Sequence, residues 1–205
     1  MKLLLATSNP GKVREMAAHL AARGFEVVSL AETGAPQVPE TGRTFRENAE
    51  LKAVSAARAT GIWTLAEDSG LEVDALGGAP GVYSARYAGE GASDAENNAK
   101  LLRALEGVEP SRRTARFKTV MVLASPAGGV WATEGTCEGV ITTEPRGSGG
   151  FGYDPLFYCP ELAKTFAEAS PEEKGRVSHR GRALAAMLAL IDGLVAEGRL
   201  TDSGR

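Results

Sequence analysis

Ile62-Trp63-Thr64-Leu65-Ala66-Glu67-Asp68-Ser69-Gly70-Leu71-Glu72 is the stretch on which the reading of this chain turns. It opens as a buried strand, and the apolar run then stops at two adjacent carboxylates, a hydroxyl and a glycine. In open α/β sheets, ligands bind just beyond the carboxyl ends of strands. A strand that gives out after Ala66 therefore puts Glu67 and Asp68 where a site belongs. Neighbouring carboxylates repel each other unless a proton or a cation lies between them, and a hard cation such as Mg2+ takes oxygen ligands and keeps several waters. Asp68-Ser69-Gly70 fits an ordinary turn equally well, because all three residue types favour turns. The flanking segments bear on that choice.

Upstream, Leu3 to Ala6 reads as a short buried strand leading into Thr7-Ser8-Asn9-Pro10-Gly11-Lys12. A helix follows with Val13, Met16, Ala17 and Leu20 on one face and Gly24 as its stop. Phe25 to Leu30 reads as a second strand, so this is a βαβ unit with a parallel pair. The polar turn matters because a helix N-terminus offers free N–H groups and partial positive charge to phosphate. Thr7 and Asn9 can add hydrogen bonds and Lys12 a full charge. The second glycine and Lys-Ser/Thr ending of a Walker A loop are missing. The same turn also reads as a plain capped helix. Residues 31–43 read as a loop carrying Glu40-Thr41-Gly42. Thr44-Phe45-Arg46-Glu47 then matches a capping box that opens a helix to about Thr60. Near its start, Asn48 can bond either a ligand or its own backbone.

Downstream, Gly77 to Gly81 permit a tight turn or close backbone approach; Arg86 is either structural or an anion contact. Ser93-Asp94-Ala95-Glu96 starts a helix with Leu101, Leu102 and Leu105 inward and Asn97, Asn98 and Lys100 on a solvated face. Thr114 to Ser125 and Gly129 to Thr142 read as two long antiparallel strands, which makes the sheet mixed. Gly147 to Pro155 holds four glycines in nine residues, together with Phe151, Tyr153 and Asp154. Such a loop can wrap a flat ring, stack on it and read its hydrogen-bonding edge, or serve as a hairpin corner. Ser170-Pro171-Glu172-Glu173 is a helix start, followed by Lys174. Ser178-His179-Arg180-Gly181 opens the last helix, where His179 and Arg180 are donors placed to receive an anion or a carbonyl oxygen. His19 reads as surface.

Composition narrows the function. The chain has 205 residues, a net charge of -3 and 43% hydrophobic residues, enough for a sizeable core without bulk attraction to nucleic acid or anionic membrane. Two cysteines, Cys137 and Cys159, make no disulfide framework and no metal motif. The apolar start, Leu3 to Ala6, is too short for a signal-peptide core, and no run approaches a membrane span. Neither nucleic acid nor membrane is an expected partner.

Taken in order, six segments resemble the inosine triphosphate pyrophosphatase family, also called HAM1-like, and most closely its bacterial dITP/XTP branch. They are Thr7 to Lys12, Glu40-Thr41-Gly42, Glu67 to Leu71, Gly77 to Arg86, Gly149 to Pro155 and Ser178 to Gly181. The resemblance covers residues 1–195 as a single domain, with a polar C-terminal tail at 196–205. Its departures are that tail and an acidic pair written Glu-Asp where Asp-Asp is common. It implies an α/β fold with a long mixed β-sheet flanked by helices, in two lobes with a central substrate cleft, and a cytoplasmic homodimer. It implies hydrolysis of the deaminated purine nucleotides ITP, dITP and XTP to the monophosphate and pyrophosphate, with one or more Mg2+ ions per subunit. The implied roles are Asp68 as general base or water-orienting group, and Glu40, Glu67 and Asp68 around the metal. Thr7, Ser8, Asn9, Pro10, Gly11 and Lys12 are implied on the triphosphate, with Ser69 a further substrate contact and Lys174 closing from the other lobe. Phe151, Gly152, Tyr153, Asp154, His179 and Arg180 are implied around the base. Three carboxylates argue against a silent nucleotide-binding sensor. A pyrophosphatase preferring pyrimidine nucleotides remains the competing enzyme.

Overall fold

A computed structural model describes residues 1–201. Seven strands form one mixed sheet in the order β2-β1-β3-β4-β5-β6-β7, with helices flanking it. β1 (Lys2–Leu5) pairs in parallel with β2 (Glu26–Ser29) and with β3 (Thr64–Val73). β4 (Thr114–Ala124) and β5 (Val130–Ile141) are neighbours joined by a short turn closed by Ser125 and Gly129, so they run antiparallel. The short β6 (Phe157–Cys159) and β7 (Lys164–Thr165) add antiparallel pairs.

Two compact units are assembled from non-consecutive segments. The first comprises residues 1–68, 120–134 and 183 onward. Its core packs Leu3 and Leu5 of β1 with Met16 and Leu20 of α1 (Pro10–Ala21), Leu65 of β3, and Leu184, Met187 and Ile191 of α6 (His179–Ala196). α1 starts where Asn9 caps it with Pro10 in the first turn. Serine-capped α2 (Leu30–Thr33) adds one helical turn inside the stretch read as strand end and loop. α3 (Phe45–Thr60) runs as expected and ends at Gly61, whose φ of 68° is the left-handed cap that favours glycine. Its capping box is half formed: Thr44 accepts from the Glu47 N–H, but the Glu47 carboxylate accepts from Arg43 N instead of Thr44 N. Beyond α6, Leu200 folds back into this core at 5% exposure. The polar tail expected from residue 196 thus contains a buried leucine, and residues 202–205 lie outside the described residues.

The second unit comprises residues 69–119 and 135–182. Leu71 and Val73 of β3, Leu101 and Leu105 of α4 (Asp94–Ala104), Phe117 of β4 and the ring pair Phe157 and Phe166 build its core. Full capping boxes start α4 at Ser93 and α5 (Pro171–Val177) at Ser170. Cys137 and Cys159 are both free, with sulfurs 3.8 Å apart, and burial pushes the Cys137 thiol up to about 12. Among the described residues, no helix is long and apolar enough to cross a membrane.

β3 corrects the sequence reading at its centre. The strand does not stop at Ala66, nor do residues 68–70 turn: it runs unbroken to Val73, with Glu67 and Asp68 in its middle. The rule about strand ends is met instead by β1, whose last pairing is Leu5 with Leu65. Glu67 and Asp68 come two and three residues past that pair. A strand can continue through two carboxylates here because each finds its own partners.

Candidate functional site

In the first unit, the βαβ start and α3 surround an acid-rich centre. Successive strand residues project to opposite faces, and the two carboxylates accordingly take different partners. Glu67, fully buried, meets the Lys12 ammonium of α1 at 2.8 Å. Asp68, 5% exposed, accepts from Asn48 Nδ2 at 3.0 Å and lies 3.5 Å from Lys52 Nζ, both on α3. Lys52 also holds Glu40 at 2.7 Å. Asn48 bridges outward as well, its Oδ1 accepting from Gly42 N at 2.7 Å, so the loop after Glu40 is tied to Asp68 through one amide. Two lysines thus lie among three carboxylates, Glu40 included.

That arrangement sets the proton affinity of Asp68. Burial raises its carboxyl above the ordinary aspartate value and the nearby Glu40 charge adds to this, against the pull of Lys52, Lys12 and the Asn48 amide. Lys52 is absent from the sequence-derived set. Its signal is the i,i+4 spacing from Asn48, which puts both side chains on one helix face. Glu40, Glu67 and Asp68 are oxygen donors suited to Mg2+. No ready-made cage of three or more His, Cys, Asp or Glu occurs among the described residues.

The phosphate turn is tighter than expected. Asn9 Oδ1 accepts from Gly11 N at 2.9 Å and Lys12 N at 3.3 Å, so the side chain read as a phosphate donor caps the helix and occupies two of its N–H groups. Thr7 Oγ1 accepts from Asn9 N, and Ser8 and Pro10 lie exposed in the same turn.

The second unit holds a different centre. Asp154, 2% exposed, accepts from Lys174 Nζ at 2.7 Å and from Phe151 N at 2.9 Å. Lys174 Nζ stands 4.6 Å from the Phe151 ring centroid and Arg180 Cζ 5.4 Å from it. Arg180 also donates to Ser69 Oγ at 3.1 Å. A Cβ on Gly150, whose φ is 72°, would land on the Asp154 carboxylate, which explains the glycine there. At Gly181 a Cβ would strike the Gly175 carbonyl, so α5 and α6 meet closely where Ser178 Oγ accepts from Gly181 N.

Several expected roles change here. Tyr153 offers no stacking face: it is 4% exposed in the core, and its hydroxyl donates to Ser84 O at 2.7 Å. Asp154 Oδ2 accepts from both Lys174 Nζ and Phe151 N, so the carboxylate read as a reader of a ligand edge also ties its own loop. His179 does not stand open at a helix start; it is 3% exposed with its ring stacked on Phe117 at 4.7 Å. The α4 face read as solvated is a clamp. Asp94 accepts from Gly152 N and Asn98 donates to Gly152 O, holding the backbone on either side of Gly152. Asn97 bonds Ala88 N and Ala85 O, and Lys100 bonds Tyr87 O. Arg86 lies over the Tyr83 ring and pairs with Glu90.

Residues 3–190 match the model of the Ham1 family. The chain belongs to that family. It is 56% identical over 195 residues to a dITP/XTP pyrophosphatase of Desulforamulus reducens, covering 95% of this chain and 97% of the relative. It is 57% identical over 188 residues to a dITP/XTP pyrophosphatase of Thermus thermophilus, covering 92% and 90%. A HAM1 protein from Coxiella burnetii superposes with a TM-score of 0.87 at 43% identity, over 94% of this chain and 99% of that one. The family read from six short segments is therefore the family of the whole chain, and the α/β fold with a mixed sheet agrees with its solved members.

Proposed function

We infer that this Ham1-family chain is a nucleoside triphosphate pyrophosphohydrolase that converts ITP, dITP and XTP to the monophosphate and pyrophosphate. The observation that carries the reading is Asp68: a buried carboxylate with a raised proton affinity, held by Asn48 and Lys52 inside an acid-rich centre. The names of the relatives at 56–57% identity support the substrate class.

Hydrolysis to those products breaks the bond between the α- and β-phosphates. A water oxygen enters, and its proton must go to a base. Asp68 takes that proton in our reading, and its raised affinity suits the task. Lys12, beside Glu67, supplies positive charge to the triphosphate, with Thr7 and Ser8 as hydroxyl donors in the same turn. Mg2+ fits the donor set. It usually keeps several waters and needs only one or two carboxylates beside the substrate phosphates, so no closed cage is required. Glu40, Glu67 and Asp68 would hold it. The ion would offset phosphate charge and orient a water. In the second unit, Phe151 offers a partly exposed ring to the purine, and Arg180 offers donors to the 6-oxygen. The Asp154–Lys174 pair and the Asp94–Asn98 clamp keep that loop in place. A cytoplasmic setting agrees with the nucleotide substrate and the two free thiols.

The test is a nucleotide panel with Mg2+: ITP, dITP, XTP, GTP, ATP, dUTP and dTTP. Release of pyrophosphate from the first three, well above the rest, is expected. Preferred turnover of dUTP or dTTP, or release of orthophosphate instead, contradicts the proposal.

A further inference from the structure

Asn48 holds Asp68 in the reading above, and its second bond reaches further. It lies fully buried in the first turn of α3, beside the packed Ala49. An asparagine is a weak choice inside a helix, because its side chain competes for backbone groups. Here the side chain does not bond its own helix. Nδ2 donates to Asp68 Oδ2 at 3.0 Å, and Oδ1 accepts from Gly42 N at 2.7 Å. An ionised carboxylate only accepts and a backbone N–H only donates, so the amide fits one way round. An aspartate here would set carboxylate against carboxylate. A leucine would leave the Gly42 N–H without its acceptor.

Gly42 ends the segment Glu40-Thr41-Gly42, and two residues of chain reach at most about 7 Å. Whatever fixes Gly42 therefore limits where the Glu40 carboxylate can stand. The approach is close: a Cβ on Gly42 would come 2.6 Å from Asn48 Oδ1 and 2.7 Å from Glu47 Cβ. One turn along α3, on the same face, Lys52 repeats the pattern at 2.7 Å from Glu40 and 3.5 Å from Asp68. α3 thus carries two rungs between the Glu40 loop and β3. They are not equivalent. Lys52 is a long, flexible stem with rotatable donors, and its side chain is partly exposed. It supplies charge and follows its carboxylates. Asn48 is short, sealed and directional, so it sets the distance.

We propose that Asn48 is a positioning residue that keeps the Glu40-bearing loop in register with Asp68, and so sets how well these carboxylates take up Mg2+. The inference rests on the hydrolytic reading of Asp68 and Glu40. Hydrogen-bond partners of metal-binding side chains typically contribute about 10- to 100-fold to metal affinity or activity. The effect of Asn48 runs through Asp68 and Gly42 alone.

The readout is the Mg2+ concentration for half-maximal hydrolysis of ITP by the full chain. Loss of folded enzyme scales the rate equally at every Mg2+ concentration and cannot move that midpoint; displaced ligands can. Asn48→Ala should raise the midpoint about tenfold or more and lower kcat at saturating Mg2+, with KM for ITP changing less. Gly42→Ala keeps every polar group but forces loop and helix apart, and should move the midpoint the same way by a smaller factor. In the metal-free chain, hydrogen exchange should find the Gly42 amide protected in wild type and released in Asn48→Ala. An unmoved midpoint in either variant overturns the proposal, whatever the loss of rate. So does a wild-type Gly42 amide that exchanges freely. If Asn48→Ala does not fold, the Gly42→Ala midpoint decides. A wild-type chain that releases no pyrophosphate from ITP at any Mg2+ concentration overturns the hydrolytic reading and this inference with it. With an active wild type, the other contrary outcomes fall on Asn48 alone.

Discussion

Each unit of this molecule has a lysine–carboxylate centre, and the two are built for different ends. In the first, three carboxylates face two lysines, leaving an excess of negative charge. The lysine side chains there are each 15% exposed, and Glu40 is 30% exposed. In the second, one aspartate faces one lysine at 3% and 7% exposure, with aromatic rings against the ammonium. An acid-rich, partly open centre can exchange its cations and hold a proton-accepting carboxylate. A balanced, sealed pair cannot exchange without large cost, so it fixes a loop. Charge balance and access, more than the presence of ion pairs, set the centre proposed to react apart from the one that holds a loop.

The largest expected effect breaks the first centre. Asp68→Asn should lower kcat about 10²- to 10⁴-fold, the usual contribution of a general base, measured with ITP and Mg2+. Stability should move the other way. Because Asp68's carboxyl is raised in the folded state, its ionisation opposes folding. The cost grows as pH rises from about 4, the unfolded aspartate value, through the raised folded value, and is constant above it. Thermal melts at neutral pH should therefore show Asp68→Asn at least as stable as wild type, and the difference should vanish at strongly acidic pH. A large loss of stability would mean Asp68 is a structural residue.

Breaking the second centre should do the reverse. Removing one partner of a buried ion pair costs about 3–5 kcal/mol, so Asp154→Ala should lose about that in urea unfolding, with Lys174 left buried. An Asp154→Ala chain of near wild-type stability would show that the pair is not what holds the Phe151 loop.

A smaller effect sharpens the account of Asp68. Lys52 lowers the Asp68 proton affinity. In Lys52→Ala that pull is gone, so the acidic limb of the kcat/KM profile should move to higher pH. An unmoved or acid-shifted limb would separate Lys52 from Asp68.

The contrast between the centres also explains what could be read from sequence. Local signals carried far: the Ser93 and Ser170 caps, the α3 boundaries and the β4–β5 hairpin all follow from residues within a few positions of each other. Glu67 and Asp68 stood out because adjacent carboxylates interrupt an apolar run. That same signal misled about β3, since a strand can pass through charges when distant cations meet them, and Lys12 and Lys52 are not visible as partners in one dimension. Tyr153 and His179 were misjudged for a related reason. An aromatic beside glycines, or an imidazole at a helix start, looks exposed until the fold supplies Ser84 and Phe117 to receive it. The α4 clamp was missed because Asn and Lys on a helix carry no mark that distinguishes solvent from a neighbouring loop.

The division of labour itself is tested by kcat/KM for ITP and ATP measured side by side in Asp68→Asn, Arg180→Ala and Phe151→Ala. Inosine has an oxygen at the purine 6-position and adenosine an amino group, and Arg180 has only donors. An unpaired buried donor costs about 1–3 kcal/mol, enough for a tenfold preference. Asp68→Asn should lower both nucleotides by the same factor, Phe151→Ala should weaken both alike, and Arg180→Ala alone should narrow the ITP-to-ATP ratio by about tenfold. An unchanged ratio in Arg180→Ala, or a changed one in Asp68→Asn, would contradict the assignment of chemistry to the first unit and purine choice to the second.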